Sequence, residues 1–154
     1  MPLDIDIAIE DDRWSSANLE ELCQRAVSAV EAVIKQELSG ELSVAFVNDP
    51  RIQALNREFR HKDKPTNVLS FPMYGFGEGA MLGDIVLAFE TITREAKEQG
   101  KDFQHHLTHL IVHGFLHLLG YDHQNDEDAA EMEALEISAL SQLGIDNPYE
   151  LKQV

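Results

Sequence analysis

Six of the seven histidines in this chain of 154 residues fall in one stretch, HHLTHLIVHGFLHLLGYDH, residues 105–123. This stretch constrains the fold more than any other. His113 and His117 are four residues apart. On a helix four residues advance by about 400°, so the two rings point about 40° apart on one face. Gly120 follows three residues after His117. It can take the left-handed conformation that ends a helix and let the chain fold back. His123 then returns toward the other two. The pattern H-x-x-x-H-x-x-G-x-x-H therefore predicts a helix over 103–119, a stop at Gly120, and three imidazoles converging on one point.

Three nitrogen ligands with an open fourth position describe a catalytic zinc site better than a structural one, which wants four protein ligands. One Zn2+ per chain on His113, His117 and His123 is the expectation, although imidazole also suits nickel, copper or another divalent metal. The same spacing resembles the three-histidine site of metzincin proteases. Those enzymes carry a glutamate general base directly after the first histidine, where this chain has Gly114. A peptidase mechanism therefore lacks its base. Asp122, beside His123, is the candidate to orient a water or a histidine, with Asp84 as the other choice. His109, one turn before His113, reads as a hydrogen-bonded supporting or core residue. His105 and His106 read as solvated or capping residues. Cys23 reads as a small core hydrophobe. As the single cysteine it excludes an intrachain disulfide and suits a reducing, cytoplasmic setting.

The remaining sequence predicts a scaffold for that helix. Leu3, Ile5, Ile7 and Ile9 alternate with polar or small residues, the mark of a strand with one buried face. Residues 15–37 repeat Leu19, Leu22, Cys23, Ala26, Val27, Val30, Val33 and Ile34 at helical spacing, with Ser15 or Ser16 as cap. Further strands are expected at 42–48, 67–73 and 83–89, with Pro72 marking an edge or a strand end. Asp49 and Pro50 open a helix. Another spans 90–99 up to Gly100, and a last one spans 126–143 with Met132, Leu135, Ala139, Leu140 and Leu143 on one face. Residues 75–79 form a Gly-rich loop that fits either a flap or a plain connection. Together these elements predict one domain over 1–154 of α/β (α+β) class, a small mixed four-stranded sheet covered by about five helices, one of them zincin-like. The length and the 44% hydrophobic content suffice for one core.

The formal net charge of −16 argues against a broad nucleic-acid-binding surface. It is unevenly spread. Five of the twelve Lys and Arg, namely Arg51, Arg57, Arg60, Lys62 and Lys64, lie within residues 51–64, opposed there by Glu58 and Asp63 alone. Residues 126–136 are rich in acids and hold no Lys or Arg. This pattern offers phosphate one local foothold. No apolar run approaches a membrane span, and the N-terminus lacks the form of a signal peptide.

HGFLHLLGYDH at 113–123 resembles the signature of the YbeY family of bacterial endoribonucleases. Leu55, Asn56 and Arg60, followed by KDKPTNVLSFP at 62–72, resemble that family's second block, and LGDIVLA at 82–88 its third. The resemblance runs from about residue 42 to about residue 149 in the family's order and spacing. It implies a metal-dependent endoribonuclease specific for single strands, acting in 3′-end maturation of small-subunit rRNA and in ribosome quality control. It also implies zinc on His113, His117 and His123, and a functional arginine at Arg60. Partners would be single-stranded RNA and the ribosome or its small-subunit proteins. Many relatives carry Asp where this chain has Asn67, which argues against an essential acid there.

The residues themselves agree. A metal with an open position can polarise a phosphoryl oxygen, and an arginine can fork two hydrogen bonds onto a phosphate. A solvated Arg60 paired with Glu58 or Asp63 is the plain alternative for that side chain. For the whole chain the competing readings are a peptidase with an unusual base and a ribosome-assembly binding protein with a structural metal.

Overall fold

The computed structural model describes residues 3–14, 18–73, 81–122 and 124–149. Four strands, β1 (Leu3–Ile9), β2 (Gly40–Val47), β3 (Val68–Pro72) and β4 (Met81–Ala88), form one sheet in the order β1-β2-β4-β3. β1 and β4 run parallel to β2, while β3 is antiparallel to β4 and takes one edge. Five α-helices accompany it: α1 (Leu19–Ile34), α2 (Asp49–Arg60), α3 (Phe89–Gln99), α4 (Phe103–Leu118) and α5 (Asp126–Gln142). The α/β class, the mixed four-stranded sheet and the five helices match the expectation, as do most element bounds to within two or three residues. α1 begins at Leu19, later than anticipated, and its expected caps Ser15 and Ser16 lie outside the described residues. So does the Gly-rich stretch 75–79.

Strand alternation sorts the core into two layers. Leu42, Val44 and Phe46 of β2 and Ile85 and Leu87 of β4 face a main core built with α1, α4 and α5. Val47, Val86, Ala88 and Leu69 face the other way and pack with Ile52 and Leu55 of α2. α4 is the centre of the main core, with Leu107, Ile111, Val112, Phe115 and Leu116 each at 0% exposure. Cys23 is also fully buried there, as a hydrophobe should be. Its thiol is pushed up to about 12 by burial and by Glu20, so it is no nucleophile near neutral pH. Trp14, in a short turn after β1, packs edge-on against Phe46 and Phe89 and donates its indole N–H to the Val47 carbonyl at 2.8 Å.

Helix starts follow local capping chemistry. The side chains of Asn48, Asp102 and Asn125 accept backbone N–H bonds at the first turns of α2, α4 and α5. The cap of α4 is thus Asp102, and His105 contributes only its backbone N–H. At the other end Gly120 sits at φ +100°, the turn its position demanded.

The free edge of β3 is blunted residue by residue. Asn67 and Met73 bond to Ala88 and Leu82 of β4. By alternation the backbone groups of Val68, Ser70 and Pro72 therefore face the open side. Asn67 Oδ1 covers the Val68 N–H at 2.7 Å, Arg60 Nη2 covers the Ser70 carbonyl at 2.8 Å, and Pro72 has no N–H to expose. This is the usual protection of an edge strand against pairing with another chain.

Candidate metal centre

α4 lines up His106, His109, His113 and His117 along one face, with successive ring centroids 6.3, 6.4 and 4.7 Å apart. His113 and His117 are the closest pair, and their side chains are about a quarter exposed, 24% and 23%. These two rings thus share one partly open surface, as the spacing requires. His123 lies outside the described residues.

Each ring of the pair has a carboxylate behind its inner nitrogen. His113 Nδ1 lies 3.3 Å from Glu136 Oε1, and His117 Nδ1 lies 4.0 Å from Asp122 Oδ1. A proton held on Nδ1 leaves Nε2 as the ring atom with a free lone pair, the tautomer that binds a metal. Asp122, expected to orient a water or a histidine, lies near His117. Asp84 lies in β4 in register with Phe71 and makes no hydrogen bond to a histidine among the described residues.

Glu136 is the residue that sequence reasoning missed. It is 1% exposed, and its Oε1 meets His109 Nε2 at 2.7 Å, Tyr149 Oη at 2.8 Å and His113 Nδ1 at 3.3 Å. Burial pushes its carboxyl up, but the bonds from His109 and His113 outweigh this and hold it down at about 2. It is therefore a carboxylate at neutral pH. Burial lowers His109 below the ordinary imidazole value in spite of Glu136, so His109 serves as a neutral donor that fixes the carboxylate. Burial and the same carboxylate raise the Tyr149 phenol well above its usual value, keeping it a donor. A signal for Glu136 did exist. It falls four residues after Met132 and three before Ala139, inside the apolar stripe of α5, where an acid needs a partner.

His109 is thus the supporting residue the sequence suggested. His106 corrects the expectation: it is not solvated but 5% exposed, with Nε2 2.9 Å from Glu95 Oε1. The stripe of α4 that carries the histidines turns inward at that level, toward α3. Asn67 also donates to both oxygens of Glu95, at 3.0 and 3.2 Å. The amide at 67 therefore ties β3 to α3, a link a carboxylate at that position would oppose by charge.

Gly114 faces the sheet. A Cβ there would stand 3.0 Å from Ser70 Oγ, 3.1 Å from Ile85 Cγ2 and 3.4 Å from Val68 Cγ2. Ser70 Oγ itself donates to the Gly114 carbonyl at 3.1 Å. The position that holds the general base in metzincins here is a contact between α4 and the sheet.

Arg60 pairs with neither Glu58 nor Asp63. Arg57 and Gln53 are the partners of Asp63. Arg60 reaches over the edge of β3 to the Ser70 carbonyl, with its guanidinium carbon 5.9 Å from the Phe71 ring centroid. Ser70 in turn joins the turn of α4 that carries His113. Arg60 is therefore two bonded steps from the histidine pair, at the rim of the same sheet edge.

A small α/β domain whose central helix presents a carboxylate-backed histidine pair is the class that the fold and site define. The family model for endoribonuclease YbeY matches residues 4–144. Curated proteins named endoribonuclease YbeY are similar over nearly the whole chain. That of Chelativorans sp. is 51% identical over 150 residues, 94% of this chain and 92% of its own. That of Rhizobium etli is 49% identical, covering 96% and 94%, and that of Agrobacterium fabrum 48%, covering 96% and 95%. The solution structure of TM1509 from Thermotoga maritima shares the fold, with a TM-score of 0.58 at 24% identity over 95% of this chain and 99% of that one. The chain belongs to the YbeY family.

Proposed function

We propose that this protein is an endoribonuclease that cuts single-stranded RNA with one divalent metal ion, zinc first among the candidates, held by His113, His117 and His123. We propose further that its substrate is the 3′ region of precursor small-subunit rRNA, met at the ribosome in the cytoplasm. The observation that carries the reading is the match, over nearly the full chain, to a family whose curated members are named endoribonucleases.

The histidine pair supports a metal. Two imidazoles stand 4.7 Å apart centre to centre, each with a carboxylate behind Nδ1. When bound, the ion would supply a Lewis acid for a phosphoryl oxygen or for a water. The rest falls to the chain itself. Glu136 orients His113 through a hydrogen bond, and Asp122, 4.0 Å from His117 Nδ1, acts on His117 through its charge. Arg60 spends one N–H on the Ser70 carbonyl and offers the rest of its fork to a non-bridging phosphate oxygen, where charge develops during cleavage. The packed contact at Gly114 weighs against a peptidase, since no general base can stand there.

The test is metal content followed by cleavage. The purified protein should carry one zinc equivalent, cut a single-stranded RNA, lose cutting on chelation and regain it when zinc is returned. A duplex of the same sequence should resist. Cutting that is indifferent to complete removal of the metal contradicts the reading.

A further inference from the structure

The largest exposed apolar side chain in the described structure is Phe59, at 56%. It sits in the last turn of α2, beside an aromatic neighbour. That neighbour is Phe71 of the edge strand, with ring centroids 5.4 Å apart and planes at 66°. Met73, just past the end of β3, is the next most exposed large apolar residue, at 53%. Arg60 adjoins Phe59 in the sequence, within a stretch that also holds Arg57, Lys62 and Lys64, in a chain of net charge −16. Arg57 is offset by Asp63 at 3.6 Å, while Arg60 leans over Phe71. The most exposed large apolar side chain among the described residues thus lies in the one cationic stretch of an acidic sequence, with Arg60 over its partner Phe71.

We infer that Phe59, backed edge-on by Phe71 and flanked by Arg60, is a stacking platform for an unpaired base of the RNA substrate. The inference rests on the endoribonuclease reading and adds how the strand is recognised. Aromatic rings stack on any base whose face is free, while nearby cations hold the backbone. A base inside a duplex has no free face, so a platform of this kind selects single strands without reading sequence. Its position follows from the sheet. The histidine pair lies on the α4 side and Phe59 on the α2 side, with Arg60 over the β3 edge between them. A strand engaging both would cross that edge, with its phosphates passing Arg60.

The chain offers a clean reporter. Its single tryptophan, Trp14, is 1% exposed, so Phe59→Trp places the one solvent-facing indole on the platform. Zinc-loaded protein is mixed by stopped flow with a single-stranded RNA octamer, with the duplex of that octamer, and with inorganic polyphosphate. The octamer is expected to quench Phe59→Trp emission, and the duplex and polyphosphate are expected to leave it unchanged. Phe59→Ala and Phe59→Leu should weaken octamer binding roughly 5- to 100-fold, the usual loss for one stacked base, and Phe59→Tyr should retain wild-type affinity. Because the side chain is more than half exposed, melting curves should show all four variants folded. Two results overturn the platform and leave the nuclease standing: wild-type affinity in Phe59→Ala, or equal quenching by polyphosphate, while the unaltered protein binds and cuts RNA. An unaltered protein that neither binds nor cuts the octamer overturns both.

Discussion

At the scale of single residues, Glu136 and Gly114 decide most. Glu136 is a buried carboxylate whose partners are two histidines and a tyrosine. Glu136→Gln keeps the shape and removes the charge that holds a proton on His113 Nδ1. It should lower zinc affinity by roughly 10- to 100-fold, the range for outer partners of metal-bound histidines. Competition with a chromophoric chelator measures this, and unchanged affinity would remove Glu136 from the site. Gly114→Glu should cost at least about 2 kcal/mol in urea unfolding, since it drives a charged side chain into the packed contact with Ser70 and Ile85. A stable Gly114→Glu protein would contradict the account of why glycine stands there. That His113 and His117 share one face was legible from spacing alone, because helical geometry fixes which residues do so. Glu136 was not, because its meaning depends on α5 docking against α4, a contact between residues 23 apart in the chain.

At the scale of elements, strand and helix periods were legible because each element buries one side. The order β1-β2-β4-β3 was not, since no local signal says which strands pair. Pro72 marked an edge correctly, and its missing N–H does face the open side of β3. The surroundings of His106 were misread because one apolar face of α4 cannot reveal that α3 supplies Glu95. That contact carries a prediction of its own. Burial raises Glu95, but the bonds from His106 and Asn67 outweigh it and set its carboxyl below the ordinary value. A depressed acid contributes stability above its unfolded value and loses it as pH falls toward its folded one. The stability advantage of wild type over Glu95→Gln should therefore be present at pH 7 and shrink as pH falls below about 4.5. Thermal melting at stepped pH checks this, and an advantage that grows as pH falls below about 4.5 would refute it.

For the whole molecule, the charge distribution and the family agree on one picture. An acidic body disfavours indiscriminate RNA binding, and Arg60 sets one guanidinium at the β3 edge, where the proposed reading has a phosphate pass. Among the described residues no helix is long and apolar enough to cross a membrane. Because metal-bound imidazoles must be neutral, zinc should be retained near neutral pH and released as pH falls below about 6. Dialysis at stepped pH with metal analysis measures the release, and a full equivalent kept at pH 4 would contradict a three-histidine site.

On the proposed function, the histidine pair and Arg60 form one RNA-cleaving site across the β3 edge. The most direct measurement is cleavage of a single-stranded RNA carrying the 3′ end of precursor small-subunit rRNA, by wild type and Arg60→Ala purified identically. Arg60→Ala removes one partly buried bond to the Ser70 carbonyl and touches no histidine, so its fold and metal content should match wild type. Wild type should cut, and Arg60→Ala, carrying the same zinc, should not. Equal cutting by both, or cutting by neither, would contradict that function.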